Sequence, residues 1–150
     1  MANKLSDSAQ AAACDAIMDL INLGSTNAEG TLRFYTGAQN ANGNSEATGA
    51  ICDCELSNPA TGAADANGLA TFSTIAQGVA TASGTVQSFA VLNRDGNVVF
   101  TGTVTATGGG GDIELTSVNI SHHDVIVPSS LTYQVPQDLI VTGKQHCHRG

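Results

Sequence analysis

Up to Gly24 the apolar residues of this chain recur every three or four positions, and beyond it they recur every second position. That change of period limits the fold more than any motif does, because it allows one amphipathic helix followed only by strands. In "DSAQAAACDAIMDLINLGS" the candidate stripe is Ala9, Ala13, Ala16, Ile17, Leu20 and Ile21, with Gln10, Asp15, Asp19 and Asn22 facing elsewhere. Asp7 and Gln10 have the form of a capping box and Gly24 supplies a left-handed stop, so a helix is expected over about residues 7–23. One stripe needs one surface to cover.

The strand patterns supply that surface. "TLRFYTG" places Leu32 and Phe34 inward, and "AICDCELS" buries Cys52, Cys54 and Leu56 while exposing Asp53 and Glu55. "NVVFTGTVTAT" offers Val98, Phe100 and Val104 against a threonine face. In "VLNRDGNVVF", Arg94 and Asp95 can form a type I turn, with Gly96 left-handed in a bulged antiparallel hairpin. The inward phase of "DIELTSVNIS" slips between Leu115 and Val118, which predicts a bulge near Ser117. "HDVIVP", "SLTYQVP" and "DLIVTG" bring the count to about eight strands, with Pro128 and Pro136 at strand ends or an edge. The fold class expected is mainly β, an antiparallel β-sandwich of jelly-roll type with one N-terminal α-helix. Residues 1–143 read as one domain, with "GAQNANGNSEATG" and "SNPATGAADANG" as surface loops and 144–150 as a polar C-terminal tail.

A chain of 150 residues can bury a core without help from metal or disulfide. The net charge of -8, with five Lys and Arg, leaves no basic stripe for nucleic acid and no attraction to an anionic membrane. Asp7, Asp15 and Asp19 interrupt any signal-peptide core, so the N-terminus reads as that of a product made in the cytoplasm. The four cysteines then read as thiols. Cys52 and Cys54 share one strand face and pack beside Leu56 rather than bonding each other.

No motif adds up to a catalytic site or a cofactor site. His122 and His123 in "SHHDVIVP" would project from opposite faces of a regular strand, and Ser121 and Asp124 beside them do not make a triad by adjacency. His146, Cys147 and His148 in "GKQHCHRG" are metal-ligand types without a second cluster, and they read as part of a polar arm. "TATGGGGDIE" lacks the Gly-Lys-Ser/Thr of a phosphate loop and reads as a flexible connection, while Asp112 and Glu114 beside it read as solvated carboxylates. "DANG" lacks the ligands of a calcium loop, and "NIS" at Asn119 is a glycosylation acceptor only on a secreted chain.

The opening block through "TLRFYTG", followed by "NRDGNVVFTGTV", the glycine run and "GDIELTSVNI", resembles small virion proteins of tailed bacteriophages. It is most similar to the capsid cement, or decoration, proteins of short-tailed phages. The similarity runs to about Tyr133 and excludes the stretch from Lys144 onward. What the resemblance implies is a non-enzymatic jelly roll on the capsid exterior, bound to the major capsid protein and to itself as a dimer or trimer. On that basis Arg94, Asp95, Asn97, His146, Cys147 and His148 become candidate capsid or subunit contacts. A tail-fibre or carbohydrate-binding sandwich is the alternative, and an aromatic content of 4% without Trp speaks against it.

Chelator and reductant together are expected to leave the melting temperature almost unchanged. A drop of more than about ten degrees, several times the shift from a 1 kcal/mol change, would show that metal or disulfide holds the fold.

Overall fold

In the computed structural model, which describes residues 3–135, 138 and 139, the chain begins β1 (Asn3–Lys4), α1 (Asp7–Ile21), β2 (Thr31–Tyr35), β3 (Ala50–Glu55) and β4 (Leu69–Thr71). It continues β5 (Gly78–Val79), β6 (Gly84–Thr85), β7 (Ser88–Leu92), β8 (Val98–Ala106) and β9 (Ile113–Leu115). The last described elements are β10 (Asn119–Ile120), β11 (Val125–Ile126), β12 (Thr132–Gln134) and β13 (Asp138–Leu139). The protein is mainly β with one N-terminal helix, as the change of period predicts.

One five-stranded sheet has the order β3-β2-β7-β8-β9, antiparallel except for the parallel β8/β9 pair. Four short antiparallel ladders join β1 to β13, β4 to β12, β5 to β11 and β6 to β10. These pairs nest inside one another in sequence, with the β7–β8 hairpin as the innermost. The pattern is that of one long hairpin rolled on itself, which is compatible with the expected jelly roll. At the tip Gly96 takes φ 84°, and its N–H donates to Asn93 O at 3.0 Å.

β7 is central in the sheet, and all five of its residues are buried. Phe89 and Val91 join the main core with Leu32, Phe34, Cys52, Cys54 and Leu56, whereas Ala90 and Leu92 meet Tyr35 on the other face. Phe100 links Phe89, Phe72 and Tyr133, at centroid distances of 6.1, 6.5 and 4.9 Å. Such aromatic pairs add about 0.5–1.5 kcal/mol each beyond their area. Cys14, Cys52 and Cys54 are buried free thiols. The hydrogen bond between the Cys52 and Cys54 thiols, together with burial, pushes the Cys54 thiol up.

Several local expectations give way to tertiary packing. The helix is capped by Ser6, whose Oγ accepts the Ala9 N–H at 3.2 Å, and Asp7 is its first helical residue. Its buried stripe is Gln10, Cys14, Met18 and Ile21, while Ala16 and Leu20 are exposed. Alanine side chains bury little area, so Met18 and Ile21 set the rotation of the helix. A bulge opposite Val91 and Leu92 sends Val98 to the Tyr35 side, away from Phe100. Near Ser117 there is a break rather than a bulge. Asn119 N–H donates to Ser117 Oγ at 3.2 Å, and the chain leaves β9 for the β6–β10 ladder.

Met18→Ala is expected to cost about 2–5 kcal/mol, as for a buried large-to-small change. Leu20→Ala, on the exposed face, should stay within about 0.5 kcal/mol. Urea midpoints measure both, and equal losses would place Leu20 in the stripe.

Candidate functional site

The innermost hairpin turn is fastened to the exit of α1. Gly24 follows the helix with φ 123°, and a Cβ there would lie 2.8 Å from Asp95, so the turn approaches closely only because this residue is glycine. Asp95 Oδ1 accepts the N–H groups of Ser25 and Thr26, both at 2.9 Å, and these bonds hold its carboxyl below the usual range. Arg94 donates through Nε to Asn27 O at 2.8 Å and through Nη1 to Asn22 O at 3.4 Å. Asn93 Oδ1 accepts from the N–H groups of Asp95 and Asn97. Of the candidate contacts, Arg94 and Asp95 thus already bind the helix exit, while the side chain of Asn97 is exposed. His146, Cys147 and His148 lie outside the described residues.

A second cluster sits on the Tyr35 face of β2, beside the smaller buried group of Tyr35, Ala90 and Leu92. Arg33 grips Asp53 on β3 at 2.6 and 2.9 Å, and its Nη1 donates to Glu46 at 2.9 Å. The Tyr35 hydroxyl donates to the same Glu46 oxygen. Burial alone would raise the Glu46 carboxyl, but the bonds from Tyr35 and Arg33 outweigh it and hold it low. Burial and Glu46 push the Tyr35 phenol up. The cluster fixes the loop of 36–49 over the Tyr35 side of the sheet. Only the Arg33/Asp53 part was open to inference from sequence, as opposite charges in matching phases of adjacent strands.

The glycine run is a folded turn rather than a flexible loop. The Glu114 carboxylate accepts the N–H groups of Gly108 at 3.2 Å and Gly110 at 2.9 Å, which hold it below the usual range. This is an anion nest filled from within the chain. Asp112 Oδ2 accepts both the N–H and the hydroxyl of Thr103, at 2.9 and 3.1 Å. The two carboxylates expected to be merely solvated are therefore structural. Beside them runs a groove of ≈ 380 Å³ between β9 and the extended segment Val127–Leu131. It continues into a ≈ 250 Å³ hollow under Phe100 and Tyr133. Sequence pattern did not reveal this groove, because its walls meet only through tertiary folding.

His122 and His123 occupy a turn, not a strand, with His123 at φ 75°. Their rings stack with centroids 3.8 Å apart instead of facing opposite ways. Ser121 N–H donates to Asp124 Oδ2 at 2.8 Å, so Asp124 closes the turn. Among the described residues, no three His, Cys, Asp or Glu side chains gather where they could hold a metal, and no helix is long and apolar enough to cross a membrane. Comparison with known protein families, curated proteins and solved structures finds no match for this chain.

A further surface is apolar. Val79 and Val125 pair across the β5–β11 ladder and are 51% and 50% exposed, and Val127, two residues on from Val125, is 65% exposed.

Asp95→Ala should speed amide exchange at Ser25 and Thr26 several-fold, because their acceptor is gone. Asn97→Ala should leave both amides protected. Exchange measured by NMR separates these outcomes, and unchanged protection in Asp95→Ala would break the link between turn and helix.

Proposed function

We propose that this protein is a non-enzymatic structural component of a phage virion that binds the capsid exterior and bridges capsomers. What carries the reading is the exposed valine strip of Val79, Val125 and Val127 on a domain whose charged groups are largely engaged internally. Such a strip offers contact area without catalytic machinery. The phage assignment itself rests on the resemblance of the N-terminal block and of the segment running from the hairpin to Ile120.

Bridging works by multivalency. Each contact can be weak when several act together on a lattice, because every contact after the first is effectively intramolecular. The acidic exterior keeps free subunits soluble before they attach. A carbohydrate-binding role receives less support. All four Phe and both Tyr are buried or half-buried, so none is an exposed platform for a sugar ring.

Recombinant protein should co-sediment with expanded, undecorated shells of its phage at a fixed number of sites, and should bind dissociated capsid subunits far less. Val127→Asp should lower shell occupancy without unfolding the protein. Equal binding to shells and free subunits, or immunogold labelling confined to the virion tail, would overturn the reading.

A further inference from the structure

We propose that Cys52 and Cys54 form a two-coordinate thiolate site for a soft monovalent metal ion of the Cu(I) class. The inference stands apart from the capsid reading, because it needs no shell and no partner protein.

Strand geometry brings the two donors together. Cys52 and Cys54 stand two residues apart on β3 and so share one face, where they are 3% and 0% exposed. The segment carrying β5 is laid along β3 by bonds from Ala76 N–H to Glu55 O at 2.9 Å and from Thr81 N–H to Ile51 O at 2.7 Å. Gly78 lies between these bonds. A Cβ there would meet Cys52 Sγ at 2.7 Å and Cys54 Sγ at 2.9 Å, so both sulfurs converge on one point that glycine alone leaves open.

Chemistry selects the occupant. Thiolate sulfur is a soft donor that favours Cu(I), and a monovalent ion with a filled d shell is satisfied by two such donors in line, with no third ligand. Cys52 is the point of entry. A hollow of ≈ 200 Å³ lined by Cys52, Val79 and Thr81 lies against it, whereas Cys54 sits deeper, with its Sγ 4.0 Å from Ile126 O. The bond from Cys54 also holds the Cys52 thiol below its usual range, so Cys52 is the first of the pair to lose its proton. On binding, each sulfur forms one bond to the ion and releases its proton to water, so the step needs neither oxidant nor reductant. The thiols otherwise bond to each other, and the fold itself does not need the ion.

The test titrates the full-length protein carrying Cys147→Ser, which removes the thiol of the tail, with Cu(I) under nitrogen against the chromophoric chelator bicinchoninate. One ion per chain should be held, and X-ray absorption should show it between two sulfurs. Loss of an outer partner costs a metal site about 10–100-fold in affinity, so loss of a ligand in Cys52→Ser or Cys54→Ser should cost at least about a hundredfold. Cys52→Ala and Cys54→Ala replace these variants should serine in the core prevent folding. Cys14→Ala removes a buried thiol that donates instead to Tyr133 O, and it should leave the affinity unchanged. Undiminished binding in the Cys52 and Cys54 variants, or no binding by the Cys147→Ser protein, would overturn the proposal.

Discussion

A fold made of many short strands leaves much of its backbone in turns, and the N–H groups there still require acceptors. In this protein carboxylates supply them. Asp15 accepts from Ala64, Asp65 from Asn67 and Leu69, Asp95 from Ser25 and Thr26, Asp112 from Thr103, Glu114 from Gly108 and Gly110, and Asp124 from Ser121. Glu46 and Asp53 act through side chains, on Tyr35 and Arg33. The acidic composition is thus a consequence of architecture as well as a source of solubility.

How far the sequence discloses this depends on the range of the forces involved. The helix, the alternation in β2 and β3 and the bulged turn at Gly96 are local, and each is legible from spacing and turn chemistry. The rotation of α1 is not, because Gln10 is buried by Gly68 and Val135, residues far away in sequence. The stacking of His122 on His123 escaped for a similar reason. Their turn is set by bonds from His122 N–H to Ser83 Oγ and from His123 N–H to Ala80 O, which no strand pattern anticipates. Glu114 is instructive in another way, since an acid shortly after a glycine run is a readable sign of a nest filled from within.

The candidate surfaces divide along the same line. From sequence the turn at Arg94 and Asp95 is a bulged hairpin tip and a candidate capsid or subunit contact, and in the structure it is joined to the helix exit. The groove beside β9 and the valine strip arise where, among the described residues, the rolled hairpin leaves an edge strand paired on one side and a face exposed.

The central claim is that carboxylates hold the turns, and acid stability tests it most directly. Glu46, Asp95 and Glu114 are held below their ordinary range in the folded state. Their contribution is therefore present above the unfolded carboxylate pKa and is lost as pH falls through the lower folded values. Urea unfolding at constant ionic strength from about pH 6 down to about pH 3 should show the free energy of unfolding falling through the carboxylate range. If the carboxylates were only mutually repelling surface charges, relief of the net charge of -8 would leave stability level or raise it on acidification, and that result would contradict the claim.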